Sequence, residues 1–260
     1  MTQDSPYTFG DSDLAARRLS ALAAVYRDSS ERFLRRACLE APARAIDLGC
    51  GPGHSTLLVH ETSAAKHTVG VDYSEAYLAR ARASAPANVS YVQHDLRAGP
   101  VPIARGELVF ERFLLTHLAE PAQRLREFAL LLEPGGVLVV QETSGLESED
   151  PTLSRYYEWV GAFQAHYRQT LYIGLELPRL AEQAELSTFD FETHEMQVPG
   201  AVMAELHALN LRTWSRDPAA VALFGSAALS ELSRALDEIA RGARSCATVR
   251  ASTGQLAARV

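Results

Sequence analysis

Regular patterning begins near residue 12, where Ala15, Leu19, Leu22 and Tyr26 recur at spacings that share one helical face. A helix over 12–40 is predicted. Asp11 or Ser12 starts it, because a short oxygen-bearing side chain can accept free first-turn amides, and Pro42 interrupts the chain beyond it. From residue 43 the period changes. Short apolar runs at 43–48, 68–72, 89–94, 107–111 and 136–142 predict strands, with helical stretches near 54–63, 74–85 and 121–132 between them. Pro121 suits a first helical turn, since the amide it lacks would have no partner there. This alternation predicts an α/β fold, a doubly wound parallel sheet covered on both faces.

After Glu142 the rhythm breaks. The polar stretch GLESEDP leads into a helical segment at 152–168 that carries Tyr156, Tyr157, Trp159, Phe163, His166 and Tyr167. A helix at 175–185, a strand near 187–198 and helices at about 201–214 and 226–241 follow. A last strand near 246–258 is marked by Ala247, Val249 and Ala251 alternating with Thr248, Arg250 and Ser252. Residues 1–42 read as an N-terminal helical lid. Residues 43–260 read as one domain with helical cap insertions near 145–175 and 199–243.

Composition narrows the function classes. With 260 residues, 47% hydrophobic and 22% charged, the chain matches a globular protein that builds its own core. A net charge of -7 with no dense Lys/Arg block argues against a nucleic-acid partner, because phosphate binding needs a basic surface. The first dozen residues lack the basic start and apolar middle of a secretory signal, and the longest apolar runs are far too short to span a bilayer. Cys38, Cys50 and Cys246 are scattered, without the spacing of a disulfide framework or a zinc site. A cytoplasmic protein without a metal or a membrane partner is expected. Monomer and homodimer both stay open.

The strongest local signal is AIDLGCGPG, in which an apolar strand runs into Gly49, Gly51 and Gly53. Glycine tolerates positive φ and lets a ligand approach the backbone, and ligands in open α/β sheets bind beyond the carboxyl ends of the strands. The dinucleotide fingerprint is GxGxxG. Here the spacing is GxGxG, with Asp47 two residues ahead and His54 after the third glycine. An anionic Asp47 suits a ligand carrying an ammonium and a sulfonium better than one carrying a diphosphate, which favours S-adenosylmethionine. In VGVDY, Asp72 closes the second strand with a carboxylate able to accept both ribose hydroxyls; its alternative role is at the start of the following helix with Ser74. Asp95, in YVQHDL, could accept from an adenine amine, with Leu96 and Tyr73 flanking the ring; otherwise it is a solvated loop residue.

Together, DLGCGPG, VDYS, QHDL, ELVFERFLLTHL and LEPGGVLVV resemble the class I S-adenosylmethionine-dependent methyltransferases of the small-molecule group, over residues 43–142. The resemblance implies a Rossmann-like seven-stranded sheet whose last strand is antiparallel. It implies Gly49, Gly51 and Gly53 at the methionine part of the cofactor, Asp72 at the ribose, and Asp95 with Leu96 at the adenine. Glu111, Arg112 and Phe113 would lie beside the sulfonium. S-adenosylhomocysteine would be the product. Two departures stand out: Glu107 replaces the aspartate usual at the start of the fourth strand, and 97–106 lacks the common Leu-Pro pair.

Methyl transfer is an in-line displacement in which alignment supplies much of the catalysis. A single general base suffices where one is needed. His117 follows the fourth strand, and an imidazole can take a proton near neutral pH; its other reading is a structurally bonded histidine. Glu142 ends the fifth strand and could accept a proton or position the acceptor, or serve in a cofactor loop or salt bridge. His166 is a third candidate, within the aromatic segment. That segment reads first as ordinary packing; as a lid it would offer an apolar wall to a planar or isoprenoid acceptor. Tyr7 and Phe9 would close over the cofactor if the N-terminus folds back. The expected activity is methyl transfer to O, N or C of a small metabolite such as a natural-product intermediate. A non-catalytic S-adenosylmethionine-binding regulator and an NAD-dependent dehydrogenase are the alternatives.

Overall fold

The structure is a computed structural model that describes residues 10–38 and 40–260. Tyr7 and Phe9 lie outside the described residues. In chain order the elements are α1 (Asp13–Ala37), β1 (Arg44–Leu48), α2 (His54–Ser63), β2 (His67–Asp72), α3 (Glu75–Ala83), β3 (Val89–Gln93) and β4 (Gly106–Arg112). A 3-10 turn at Leu115–His117 precedes α4 (Pro121–Ala129), β5 (Leu132–Glu147) and α5 (Pro151–His166). A second such turn at Ile173–Glu176 leads to α6 (Leu177–Gln183), β6 (Ser187–Val198), α7 (Gly200–Trp214), α8 (Pro218–Phe224), α9 (Ser226–Ala240) and β7 (Val249–Arg259).

One seven-stranded sheet runs in the order β3-β2-β1-β4-β5-β7-β6. The first five strands pair in parallel, with Ile46 between Val69 and Val109, and the last strand is antiparallel. The order reverses between β1 and β4, which opens a crevice beyond their carboxyl ends. The period of two sorts the side chains. Ile46, Leu48, Val109, Leu138 and Val140 face Leu125 and Phe128 of α4 and Leu177 and Leu180 of α6. Ala45, Leu108, Phe110 and Val139 face Phe33 and Leu34 of α1 and Leu58 and Val59 of α2.

Three details differ from the sequence expectation. The first helix stops at Ala37. Pairing of β5 begins at Leu132, opposite Gly106, and resumes with Val137 opposite Leu108. The residues expected as a turn before the strand therefore form a bulge within it, with Gly135 at φ 83° and Pro134 lacking an amide to pair. Finally, α8 was not expected; Asp217 accepts from Ala219 N at 2.8 Å, and Pro218 occupies the first turn.

The chain divides into two compact units. The larger comprises Ala23–Ser144, Tyr172–His194 and Thr253–Val260, and holds the glycine loop. The smaller comprises residues up to Leu22, Gly145–Leu171 and Glu195–Ser252. In the smaller unit α7 packs along α9, and an aromatic cluster forms the interior: Trp214 stacks on Phe163 at 4.7 Å and Tyr156 on His207 at 4.3 Å. Burial pushes the His207 pKa down to about 3, so it sits there as a neutral ring. Among the described residues no single helix is long and apolar enough to cross a membrane; α8 and α9 together are, but they are bent by 91°.

Candidate cofactor and active site

The glycine loop is built by backbone geometry that side chains disfavour. Gly49, Gly51 and Gly53 have φ of 70°, 52° and 90°. Gly49 N and Cys50 N both donate to Val71 O, at 2.8 and 3.0 Å, which ties the loop to the end of β2. A Cβ on Gly53 would lie 2.6 Å from Tyr91 Oη and 2.9 Å from Ala81 Cβ. Gly53→Ala is expected to lower stability by about 1–3 kcal/mol, through left-handed strain and overpacking together. An unchanged urea midpoint would show that the loop relaxes freely.

Three carboxylates lie at or just beyond the carboxyl ends of β1, β2 and β3, in different states. Asp72 accepts from Gly51 N at 2.8 Å and from Ser74 N at 2.9 Å, while the Ser74 hydroxyl caps α3 through Tyr77 N. Asp72 thus joins the glycine loop to the start of α3. Asp47 is buried; its Oδ2 accepts from Ser55 Oγ and Thr56 Oγ1, each at 2.7 Å. Its Oδ1 is buried with no partner. Burial raises the Asp47 pKa to about 6, against the pull of the two hydroxyls and of Arg112. Asp95 is exposed and paired to Arg97, with Oδ2 2.8 Å from Nη2; those bonds hold its pKa low. Tyr73 stands exposed beside it, 6.0 Å from the Arg97 guanidinium, and Leu96 is buried in the core. An adenine reaching Asp95 would have to share that carboxylate with Arg97.

Arg112 closes β4. Its Nη1 donates to Ser30 Oγ at 2.9 Å, and no carboxylate pairs with its guanidinium among the described residues. Burial brings its pKa down to about 10, opposed by Asp47 and Tyr26. An orphaned acceptor on Asp47 and an unpaired cation at Arg112, within electrostatic reach of one another, complement the ammonium and carboxylate of an amino-acid tail. The residues therefore fit the methionine end of S-adenosylmethionine as well as its ribose.

Sequence reasoning did not find the α1 contribution. Tyr26, Ser29 and Ser30 share a helix face in the spacing i, i+3, i+4 and reach the ends of β4, β5 and β7. Ser30 Oγ lies 2.5 Å from Gln141 Oε1, and Gln255 Nε2 donates to Ser29 Oγ at 2.6 Å. The Tyr26 ring meets Phe113 edge-on at 4.8 Å. The available signal was a pair of serines interrupting an apolar helical face.

The proposed bases fall in different surroundings. His117 ends the 3-10 turn after β4, partly exposed, in the larger unit. Glu142 does not face open space: it is fully buried, accepts from Leu115 N at 2.6 Å, and lies beside a second buried carboxyl, Glu111. His166 is exposed at the end of α5, in the smaller unit, with its ring edge-on to Tyr167. Among the described residues no three His, Cys, Asp or Glu side chains converge as metal ligands.

Comparison with known proteins agrees with this geometry. Residues 45–136 match a family model described as a methyltransferase domain. The trans-aconitate 2-methyltransferase of Azoarcus sp. (strain BH72) is 38% identical over 123 residues, 47% of this chain and 48% of that one. That of Escherichia coli O157:H7 (strain EC4115 / EHEC) is 29% identical over 188 residues, 71% of this chain and 74% of that one. The chain thus spans about half the length of the first of these relatives. Among solved structures, a putative methyltransferase from Bacillus halodurans C-125 superposes with a TM-score of 0.58 at 19% identity, covering 89% of this chain and 98% of that one. A geranyl diphosphate C-methyltransferase from Streptomyces coelicolor A3(2) gives 0.53 at 15% identity, covering 98% and 88%. At those identities the likeness is one of fold. Motif order, glycine-loop geometry, sheet topology and sequence relatives converge, and residues 45–136 match a methyltransferase domain on a sheet with the fold of the class I S-adenosylmethionine-dependent methyltransferases.

Proposed function

We propose that the chain transfers the methyl group of S-adenosylmethionine to a small organic acid. The observation that carries the cofactor half is the Asp47–Arg112 pair: a buried acceptor without a donor, and a guanidinium that bonds Ser30 but has no carboxylate partner among the described residues. The acceptor half draws on the relatives named for trans-aconitate. S-adenosylmethionine, when bound, supplies a methyl group on a sulfonium that leaves readily. The chain's own residues then have to bind, orient and exclude water. Asp72 would hold the ribose, Asp47 Oδ1 the ammonium, and Arg112 the carboxylate of the methionine tail. Tyr26 and Phe113 supply apolar surface beside Arg112.

An ionised carboxylate acceptor needs no proton removed before it attacks, so alignment carries the rate in this reading. His117→Ala is then expected to keep kcat within about tenfold, short of the 10²–10⁴-fold, roughly, that removing a general base costs. A larger loss in initial-rate measurements would mean an acceptor that must be deprotonated, with His117 as its base.

The direct test incubates purified chain with methyl-labelled S-adenosylmethionine, trans-aconitate and a panel of di- and tricarboxylic acids. The expected product is a methyl ester, with S-adenosylhomocysteine formed in equal amount. Tight cofactor binding with no product from any acid would favour the regulatory alternative; product only from hydroxyl or amine acceptors would overturn the acceptor class alone.

A further inference from the structure

Glu111 and Glu142 form a buried pair that the reading above does not use. Both are fully buried. On neighbouring strands with Glu111 opposite Val140, their side chains share the sheet face of Val109, Leu138 and Val140. The loop after β4 folds over them: Glu111 Oε2 accepts from Leu114 N at 3.3 Å, and Glu142 Oε1 accepts from Leu115 N at 2.6 Å. The remaining oxygens, Glu111 Oε1 and Glu142 Oε2, find no donor among the described residues, while the two carboxyls lie within hydrogen-bond reach of each other. Two ionised carboxylates offer only acceptors. One proton between them turns two orphaned acceptors into a donor and an acceptor.

We infer that Glu111 and Glu142 share a proton at neutral pH and, as a singly charged pair, act as positioning residues that pin residues 113–118, the segment carrying His117. Among the described residues no cation forms an ion pair with either carboxyl. On the elements of the same core, Arg124 of α4 pairs with Glu127, and Glu176 of the turn Ile173–Glu176 pairs with Arg179 of α6. His117 is the titratable group on the pinned turn itself. By strand alternation, Asp47 of β1 and Arg112 of β4 lie on the opposite sheet face, and residues 253–258 of β7 carry no ionisable side chain. Phe113, at φ 57°, pays for its left-handed backbone with this same anchorage. Burial, with the like charge beside it, raises the Glu111 pKa well above the ordinary value, and burial raises that of Glu142 to about 8.

The sign of the pH effect follows. Above the ordinary glutamate pKa the unfolded chain has released a proton that the native pair keeps. Native protein then binds more protons, and the pair's contribution to stability falls as pH rises, until the pair itself ionises. One retained proton lowers the folding equilibrium constant by up to about tenfold per pH unit across that window.

Infrared spectroscopy on the full chain, with isotope-labelled glutamate, tests the inference without cofactor or turnover. A protonated glutamate carboxyl band is expected at pH 7, absent from the isosteric double variant Glu111→Gln/Glu142→Gln. Amide hydrogen exchange is expected to show Leu114 and Leu115 protected at pH 7, with protection lost as the band disappears at alkaline pH. The double variant is expected to hold that protection constant across the same range. If the variant does not fold, the labelled wild-type band decides alone. Absence of any protonated glutamate at pH 7 in folded protein overturns the shared proton. A band present with Leu114 and Leu115 exchanging freely at pH 7 overturns the positioning role.

Discussion

Asp72→Ala is expected to weaken S-adenosylmethionine binding by about 1.5–3 kcal/mol, more than tenfold in affinity at the low end. The carboxylate has two duties. It accepts from Gly51 N and Ser74 N, which fix the glycine loop against α3, and in the proposed complex it would also accept from the ribose. Alanine removes the charge-assisted bonds to ligand and leaves two amides without their acceptor. Asp72→Asn separates the duties, because its amide oxygen still serves one backbone donor while the charge is gone. Calorimetric titration of both variants, with thermal unfolding run in parallel, apportions the loss. Affinity within twofold of wild type in folded Asp72→Ala would remove the residue from the site.

Trp214→Ala is expected to cost about 3–5 kcal/mol of stability, the range for truncating a large buried aromatic. The ring is 1% exposed and stacks on Phe163 at 18°, with Tyr156 and Phe224 also against it. These neighbours come from two helices of the smaller unit, α5 and α8, so the void cannot close by moving one side chain. Urea unfolding measures the loss. A change below about 1 kcal/mol would mean that the cluster repacks, in the way of sites that collapse around a deletion.

That cluster also shows what the sequence could convey. Helical spacing of Tyr156, Tyr157 and Phe163 was legible, and so was the expectation of packing; the partners were not, because His207 and Trp214 arrive from α7 fifty residues later. The parallel core read well for a physical reason: strands buried on both faces are continuously apolar, and each is punctuated by glycine, proline or a carboxylate where the chain turns. The bulge in β5 was hidden, because Glu133–Gly136 has the composition of a turn whether or not pairing resumes around it. At the site, the glycines and Asp72 announced themselves through spacing. Glu142 was legible as a carboxyl at a strand end, but its environment was not. Only the cross-strand register brings Glu111 beside it and the loop at 113–118 over both. Ser29 and Ser30 were silent for the same reason: their meaning comes from Gln141 and Gln255, more than a hundred residues away.

The central claim is that the loop from Asp47 to Gly53, with Asp72, holds an adenosyl amino acid rather than a dinucleotide. Isothermal titration of the folded chain measures it most directly. The account predicts saturable heat with S-adenosylmethionine and with S-adenosylhomocysteine at one site per chain, and none with NAD. Heat with NAD and none with either adenosyl compound would contradict it.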